Sequence, residues 1–481
     1  MTQETGMREA FHGLVLDDGR TFTNWGLSRS TTPTVYLEPV SYVDVQTAVR
    51  DDKRFPSPIH PVGSMHSVTS TIVNDGGTLL CTRKLDEVIG LELGPTGRQV
   101  VRVQAGCRLA KLNLWLQAHG VEIPFQAEIG EATVGSVAAG DTKESSLDGP
   151  GYFSAHVVGL TYVDEHGELR SLSERRDGAA FHEFKCSFGL SGIVVECLLE
   201  VRPATLCRSD TSIQTFGSPE DLAAGLMTAR EGSDNLLAIV FLHNLAGLFE
   251  QRYRAGLGAF TPDSSQPACE EYRVAKRLAI QRGFDGVSVP QPRGIVYSRA
   301  DFVNEYWRPL ADESRLDFQY YEHDLSRLSP VMVESSRFTK AFGARTGFAP
   351  KCWATFFVNR SEKSKNPWII LWRPGHIVFI RPLLLQPNRS VVAGILAGLQ
   401  PARDSHARRK CFANSDPVAA AGSRDDSEET GAPAVHYQIL RTVSGLVTRP
   451  STNSTSAARI HVNWHNLFSP IKFSPHLAAA S

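Results

Sequence analysis

The sequence predicts an α+β protein with two folded units and a C-terminal tail, and three observations support this prediction. The chain has 481 residues, which is too long for one ordinary hydrophobic core. Short β-branched runs alternate with helical patterns through the first unit, and no G-x-G-x-x-G dinucleotide-binding turn is present there. Large apolar side chains become scarce near the C-terminus. We therefore predict units at 1–205 and 206–394 and a tail at 395–481.

The first unit opens with a strand, a turn and a helix. Residues 34–49 read TVYLEPVSYVDVQTAV, in which Ser41 is well placed to cap the helix. Residues 58–62 and 78–81 each predict a strand, and between them the chain reads PVGSMHS at 61–67. This segment contains mostly small residues, so it predicts a tight turn that joins the two strands.

The same patterns predict the remaining elements of the chain. In the first unit we predict a helix at 109–119, which Gly120 would end. We also predict four strands there, at 100–105, 157–163, 169–172 and 193–201. In the second unit, of mixed α/β character, we predict strands 237–241 and 354–358 and helices 219–230 and 268–282. Residues 401–434 and 451–458 are small and polar, which predicts a flexible or poorly packed tail.

Composition excludes several classes of function. The 50 Lys and Arg residues balance 51 Asp and Glu residues, and the resulting charge of -1 favours a small-molecule partner over nucleic acid or a membrane surface. The first twenty residues lack the basic and apolar pattern of an export signal, and no apolar run could span a bilayer. We expect a soluble, cytoplasmic protein. Eight Cys without a C-x-x-C pair predict buried thiols and no metal site.

The turn at 61–67 is the strongest functional signal in the sequence. Small residues let backbone N–H groups approach a pyrophosphate closely, and a His inside such a turn can contact the cofactor or bond to it covalently. We therefore predict an FAD site here. Its candidate cofactor-binding residues are Pro61, Gly63, Ser64, Met65, His66 and Ser67.

Five segments together resemble the vanillyl-alcohol oxidase/p-cresol methylhydroxylase superfamily of FAD enzymes, with the greatest similarity to its aldonolactone and alditol oxidases. These segments are Asn24-Trp25, PVGSMHS at 61–67, VQAGCRLAKLNLWLQAHG at 103–120, GEATVGSVAAG at 130–140 and FGLSGIVVECLLEV at 188–201. Their order and spacing match the family over residues 24–203. The resemblance implies a PCMH-type FAD-binding domain of two subdomains, followed by a substrate-binding (cap) domain.

The resemblance also assigns roles to individual residues. The turn would wrap the FAD pyrophosphate, and His66 occupies the position of the 8α-histidyl bond to the isoalloxazine in many members; the alternative is a His that only hydrogen-bonds within a surface turn. Further cofactor contacts are implied for Thr133, Val134, Gly135, Ser136 and Gly140, and for Gly192, Ile193 and Val194 on the adenine side. The alternatives for these two stretches are a glycine-bearing turn and an ordinary buried strand.

Three departures from the family pattern concern the residues around the cofactor. Residues 140–145 read GDTKES, which places charge where many relatives have small residues beside the phosphates. Ile129 stands near the position of a second covalent Cys in some relatives, so at most one attachment is expected. The segment at 461–465 loosely resembles the H-W-G/A-K segment, in which a Lys approaches flavin N1, but the first Lys after it is Lys472.

The resemblance also points to a catalytic residue in the second unit. Glu322, within FQYYEHD at 318–324, is the best candidate for the Glu beside flavin N5, where it could orient the substrate hydroxyl or accept its proton. The alternative is an exposed or salt-bridged Glu. Relatives often carry a basic residue two positions later, where this chain has Asp324.

These observations predict an FAD-dependent oxidase that passes a hydride from a CH–OH donor to flavin N5, with O2 as acceptor. The donor would be a polyol, a sugar or an aldonolactone. Two alternatives stay open: an FAD-linked oxidoreductase that acts on a larger specialised metabolite, and a flavin-binding protein without turnover. The sequence does not reveal the oligomeric state.

Overall fold

The computed structural model describes most of the predicted first unit, 1–205, and parts of the predicted second unit, 206–394. The residues it describes are 10–67, 70–124, 129–140, 142–143, 147, 149–185, 187–257, 275–276, 279, 288–291, 293, 295–298, 316–317, 321–347, 352–360, 375–385 and 408–409. Within these residues, no helix combines the length and the apolar character that crossing a membrane requires.

The first part of the chain forms a small mixed sheet. Its elements are β1 Leu14–Leu16, β2 Phe22–Thr23, β3 Ser30–Thr31, β4 Val35–Glu38, α1 Tyr42–Arg50, β5 Ile59–Val62 and β6 Thr78–Cys81. The sheet order is β1-β4-β6-β5, in which β6 runs parallel to both β4 and β5, while β2 and β3 pair separately. Helix α1 begins at a capping box, because the Ser41 hydroxyl accepts from the Asp44 N–H and the Asp44 carboxylate accepts from the Ser41 N–H.

A second, antiparallel sheet follows. The next elements are β7 Val88–Leu93, β8 Gln99–Gln104, α2 Leu109–Ala118, β9 Val121–Glu122, α3 Val134–Ala139, β10 Val157–Val163, β11 Leu169–Ser173, α4 Glu174–Phe184, β12 Ile193–Glu200 and β13 Arg202–Pro203. The order of this sheet is β11-β10-β12-β8-β7, and β13 pairs with β9 beside it. Helices α2 and α3 pack on the sheet through one apolar cluster that includes Leu112, Val134 and Val103.

The third sheet belongs to the second unit. Its elements are β14 Thr205–Thr215, α5 Pro219–Glu231, β15 Asn235–Phe241, β16 Ala246–Leu257, β17 Ile295–Ser298, β18 Leu316–Asp317, β19 Tyr321–Asp324, α6 Leu328–Thr346, β20 Cys352–Arg360, β21 Gly375–Leu385 and β22 Arg408–Arg409. The antiparallel order is β17-β14-β16-β15-β20-β21-β19-β22, with β18 beside β21. Helices α5 and α6 cover one face of this sheet, where Leu226, Met332 and Trp353 share a buried cluster.

One residue from the first unit contributes to the core of the second. The side chain of Leu147 packs in the buried cluster that α5 and α6 form with the third sheet. Its backbone N–H also donates to the carbonyl of Asp234, just before β15, at 2.9 Å. The two units are therefore joined by an apolar contact and a main-chain hydrogen bond as well as by the chain itself.

The structure confirms the mixed helix and strand content that the sequence predicts. Each strand predicted in the first unit is present, and β15, β20 and α5 overlap the predicted elements of the second. The four Cys residues that the structure describes as free, Cys81, Cys107, Cys197 and Cys207, are buried. Most of the predicted helix at 268–282 and the predicted tail lie outside the described residues, apart from β22.

Candidate functional site

The turn at 61–67 leaves the carboxyl end of strand β5. Two side chains at the end of the parallel neighbour β6 support it: the thiol of its last residue, Cys81, donates to Gly63 O at 3.6 Å, and the hydroxyl of the next residue, Thr82, donates to Val62 O at 3.3 Å. Met65 has a φ of 55°, a left-handed conformation that is uncommon for a residue with a side chain. Strained backbone of this kind occurs preferentially at ligand sites, so it supports a functional reading of the turn.

Gly63 lies directly against Thr133, the residue that precedes helix α3. A Cβ on Gly63 would stand 2.1 Å from the Thr133 side-chain oxygen, which is far inside contact distance. Only glycine fits this approach. The contact joins the 61–67 turn to the stretch 130–140, as expected if both segments bind one cofactor.

The backbone of α3 is already engaged within the protein. The Val134 N–H donates to Cys107 O at 2.9 Å, the Gly135 N–H to Ala105 O at 2.7 Å, and the Gly140 N–H to Ser136 O at 2.8 Å. These three N–H groups therefore have protein acceptors, which the sequence could not show. The Thr133 and Ser136 hydroxyls lie 2.9 Å apart, and Ser136 also donates to Thr133 O.

The segment at 188–194 meets the same region from the other side. The Phe188 N–H donates to Ala139 O at 2.9 Å, and a Cβ on Gly189 would lie 3.1 Å from Pro61 Cγ. Phe188 has a φ of 56°. Gly192 has a φ of 143°, and a side chain there would meet the Tyr162 ring at 2.7 Å. Ile193 and Val194 follow it as buried residues of β12.

The Asn24-Trp25 pair lies on the turn as well. The Trp25 N–H donates to Met65 O at 2.8 Å, and the Trp25 ring faces the His66 ring with centroids 6.1 Å apart and planes 23° apart. The resemblance described above includes this pair in the family pattern but assigns it no role. The structure supplies one, because Trp25 contacts the turn through both its backbone and its ring.

Two buried polar atoms in this region fit a polar ligand. The Trp25 Nε1 and Ser64 Oγ atoms are buried, and neither has a hydrogen-bond partner among the described residues. Buried polar atoms in native proteins are nearly always paired, so each such atom calls for an explanation. A cofactor rich in phosphate, hydroxyl and ring acceptor atoms provides one, and the residues present therefore fit FAD.

A half-buried titratable group stands just before the turn. His60 lies on β5, where the loss of contact with water lowers the pKa of its imidazole to about 4, although a hydrogen bond with the Thr71 backbone acts in the opposite direction. The ring is therefore neutral at physiological pH. The His60 ring therefore places no positive charge beside the 61–67 turn at this pH.

Glu322 lies on strand β19 in the third sheet. The register across the sheet connects Glu322 to residues on four other strands. Glu322 pairs with Phe379 on β21, which pairs with Phe356 on β20. Phe356 pairs with Leu237 on β15, which pairs with Glu250 on β16. Residues opposite each other in an antiparallel ladder share one face of the sheet. The residues that pack against α5 and α6 belong to the alternate set, such as Ala238 and Phe249, so Glu322 belongs to the face opposite the helices.

Several predicted features fall outside the described residues. These are Asp141, the residues 144–146 of the charged stretch, and the C-terminal segments around 461–465 and Lys472. Other contributors to the site were not predicted. Thr82, Cys81 and Gly189 support the turn through contacts that depend on tertiary structure. Of these, only Gly189 carried a local signal, because glycines in a loop often mark unusual backbone angles.

Comparison with known families tests this interpretation. Residues 33–173, which include the 61–67 turn and α3, match the family described as FAD binding domain. The chain contains an FAD-binding domain. This match confirms the resemblance to FAD-linked oxidases and the prediction of FAD as cofactor. It covers the 61–67 turn and α3, whereas Trp25 and the 188–194 segment lie outside the matched residues.

Several named relatives are similar to about two fifths of the chain. A D-arabinono-1,4-lactone oxidase of Eremothecium gossypii is 30% identical over 211 residues, which are 44% of this chain and 39% of the relative. The enzyme of that name from Saccharomyces cerevisiae is 32% identical over 197 residues, or 40% and 37%. An L-gulonolactone oxidase of Bos taurus is 24% identical over 185 residues, or 38% and 41%. The aligned part of the chain thus spans about two fifths of the length of these relatives.

Solved structures extend the similarity beyond the FAD-binding domain at the level of the fold. A cholesterol oxidase of Brevibacterium sterolicum matches with a TM-score of 0.59 at 13% identity, covering 84% of this chain and 87% of that one. A solvent-stable cholesterol oxidase gives a TM-score of 0.59 at 15% identity, covering 80% and 85%. At such low identity these matches support the flavin-oxidase fold and carry no information on the substrate.

Proposed function

We propose that this chain is an FAD-dependent oxidase that acts on the CH–OH group of a small polyol, sugar or aldonolactone, with O2 as acceptor. The observation that carries the proposal is the convergence of the 61–67 turn, α3 and the 188–194 segment, through the Gly63–Thr133, Phe188–Ala139 and Gly189–Pro61 contacts. When bound, FAD supplies a hydride acceptor at N5 and passes two electrons on to O2, which gives H2O2.

In this proposal the residues from Gly63 to Ser67 hold the pyrophosphate. Gly63 permits the close approach, and Ser64 offers a hydroxyl that has no partner among the described residues. Val134 and Gly135 contribute by holding α3 against the end of β8 and the residues after it, since their N–H groups donate to Cys107 O and Ala105 O. Gly140 ends α3 through a hydrogen bond from its N–H to Ser136 O. Pro61 and Met65 set the path of the turn, and Thr133 and Ser136 place hydroxyls beside it.

His66 is the proposed point of covalent attachment. A ring nitrogen can bond to a flavin only if the imidazole is held at one place against the ring system. The 61–67 turn is fixed at several points, through Cys81, Thr82, Thr133 and Trp25. The same constraints would hold His66 without a covalent bond, so attachment requires its own measurement.

Gly192, Ile193 and Val194 are proposed to contact the adenine side. The φ of Gly192 and its closeness to Tyr162 require glycine, and the next two residues continue as the buried strand β12. Backbone groups on either side of such a glycine can approach a ligand more closely than those of other residues. The contact would therefore be made by main-chain atoms.

The second unit, proposed as residues 206–394, would bind the donor above the cofactor held by residues 1–205. We propose Glu322 as the residue that orients the donor hydroxyl or takes its proton. The strand register supports this role because it places Glu322 on the sheet face that α5 and α6 do not cover. In this proposal the second unit sets donor specificity, and the relatives match only 44% and 40% of the chain.

For that reason a larger specialised metabolite is the second donor class to test. The purified protein should be yellow, and anaerobic addition of a true donor should bleach the flavin band near 450 nm, roughly as free flavin bleaches on reduction. Screening polyols, sugars and aldonolactones in parallel assigns the class. A protein that never takes up flavin contradicts the proposal, and one that binds flavin but is bleached by no donor is the binding protein without turnover.

Covalent attachment has a separate test. After acid precipitation and denaturing electrophoresis, the band of the wild-type protein should fluoresce, and the band of His66→Ala should not. His119→Ala is the matched control, since His119 is an exposed residue that stacks on Trp115 at the end of helix α2. A colourless wild-type pellet with all flavin in the supernatant would show that FAD is held without a covalent bond.

A further inference from the structure

We propose that Trp25 is a positioning residue that holds the His66 imidazole in a fixed orientation for the cofactor. This inference rests on the proposed function for the role of His66, but its physical content, the restraint of one ring by another, can be measured without flavin. Trp25 is not close in sequence to the turn that it contacts, and no charge or metal-ligand pattern marks it.

The contact has two parts. The Trp25 N–H donates to Met65 O at 2.8 Å, which ties the backbone of Trp25 to the residue directly before His66. The indole and imidazole rings then face each other at 6.1 Å with an angle of 23° between their planes. Offset, nearly parallel rings at this separation attract each other, and the attraction grows if the imidazole is protonated.

The turn that carries Trp25 is itself well fixed. Asn24 is 1% exposed, and its side-chain oxygen accepts from the backbone N–H groups of Ser28 at 2.9 Å and Arg29 at 3.1 Å. Its side-chain nitrogen donates to the Ser28 hydroxyl at 3.2 Å. Leu27 closes the turn with a φ of 52°. The Asn24 side chain thus holds the platform from which Trp25 meets His66.

The indole N–H does not anchor the Trp25 ring to any residue that the structure describes. Its Nε1 atom is buried and finds no partner in the described parts of the chain. The orientation of the ring is therefore set by packing and by the backbone contact with Met65. A ring placed in this way limits rotation of the neighbouring imidazole, which is what a nitrogen that must face one edge of a cofactor requires.

Accessibility of His66 to a small reagent measures the restraint directly. Diethyl pyrocarbonate modifies imidazole nitrogens, and peptide mass spectrometry reports the rate at each His of the full-length chain, produced under riboflavin limitation. Trp25→Leu should raise the rate at His66 by about threefold or more, in line with the loss of one ring–ring contact. Trp25→Phe keeps an aromatic face and should stay close to the wild-type rate.

The chain offers a matched control. Trp115 stacks on His119 with centroids 3.7 Å apart, on the surface of α2. Trp115→Leu should raise the labelling rate of His119 and leave that of His66 unchanged, whereas Trp25→Leu should do the reverse. Equal rates at His66 in the wild-type protein and Trp25→Leu would overturn the proposal. So would a Trp25→Phe protein that reacts as fast as Trp25→Leu.

A measurement on the wild-type protein covers the case in which Trp25→Leu does not fold. The Cε1–H NMR signal of His66, assigned by its loss in His66→Gln, should be shifted upfield by the indole ring current, and a signal at the random-coil position would refute the stack. With riboflavin supplied, the fraction of His66 peptide that carries flavin should fall in Trp25→Leu and persist in Trp25→Phe. If the wild-type protein forms no such adduct, the proposed covalent attachment at His66 is wrong. The proposal for Trp25 is tested separately, by the labelling rates and the NMR signal.

Discussion

Gly63 and Thr133 touch so closely that a single added methyl group on Gly63 would overlap the Thr133 hydroxyl, at 2.1 Å. We expect Gly63→Ala to lower the free energy of unfolding by roughly 1–3 kcal/mol, the usual cost of overpacking, and to reduce the flavin content. Denaturant unfolding and flavin absorbance measure the two effects. Gly217→Ala is the matched control, because its nearest neighbour would lie at 3.4 Å.

The same contact predicts a rescue. Thr133→Ala removes the oxygen that the new methyl group would meet, so Gly63→Ala/Thr133→Ala should be less destabilised than the sum of the two single variants. A double-mutant cycle measures this coupling, which we expect to be about 1 kcal/mol. Additive effects would mean that the turn and α3 are not in contact at this point.

His60 predicts a dependence of stability on pH. Because its folded pKa is about 4 and its unfolded pKa about 6.5, the unfolded chain takes up the proton first as the pH falls. The contribution of the neutral ring is fully present above pH 6.5 and is lost progressively down to pH 4. Between pH 7 and 5 the wild-type protein should lose roughly 2 kcal/mol more than His60→Gln. The free energy of unfolding from urea titrations at the two pH values measures this loss, and an equal loss in the wild-type protein and His60→Gln would contradict the prediction.

A buried ion cluster in the second unit predicts a second acid effect. Burial by itself raises the pKa of the Glu250 carboxyl, but the charges of Arg252 and Lys276 outweigh it and hold the pKa well below its usual range. Arg252 donates to Glu250 Oε1 through Nε, at 2.9 Å, and through Nη2, and Lys276 Nζ donates to Glu250 Oε2 at 2.6 Å. The resulting stabilisation is present above pH 4.5 and is lost as the pH falls further.

Glu250→Gln should therefore cost about 3 kcal/mol or more at pH 7, because it leaves two buried cations without their shared carboxylate. The difference from wild type should narrow below pH 4.5. Glu334→Gln is the matched control, since Glu334 pairs with Arg337 on the surface and such pairs contribute little. An unchanged midpoint of unfolding in Glu250→Gln would show that the cluster is not stabilising.

Glu322 predicts a kinetic effect rather than a stability effect. If it takes or orients the donor proton, Glu322→Gln should slow anaerobic flavin reduction at least about tenfold, the lower range for a general base. Stopped-flow absorbance with the donor found in the screen measures the rate. Glu334→Gln again serves as control, and an unaltered reduction rate in Glu322→Gln would remove Glu322 from the mechanism.

The local elements of the first unit could be predicted because their signals lie within short segments. Ser41 and Asp44 specify the start of α1, and Gly120 follows the end of α2 with a left-handed φ. The fold of the 61–67 turn could be predicted only as a turn. Its supports, Cys81 and Thr133, come from other segments, and no local pattern announces a contact between residues so far apart.

The second unit was harder to predict for a related reason. Strand β16 contains Glu250 and Arg252, charged residues that argue against a buried strand unless their partner Lys276 is known. The backbone N–H groups of Val134 and Gly135 are a second case in which the hydrogen-bond partners could not be predicted from the sequence. The sequence suggests that they are open to a cofactor, and only the tertiary structure reveals that Cys107 and Ala105 accept their hydrogen bonds.

Leu147 bears on how proteins of this architecture can be recombined. Leu147 lies before the predicted boundary at residue 205, yet it packs in the buried cluster that α5 and α6 form with the third sheet. A fragment cut at that predicted boundary would therefore expose the Leu147 side chain and leave a cavity in the other fragment. A chimera that borrows the second unit from another oxidase would thus have to match the Leu147 loop as well. The packing boundary between the two predicted units therefore does not coincide with the predicted boundary in the sequence, because Leu147 packs with the second unit.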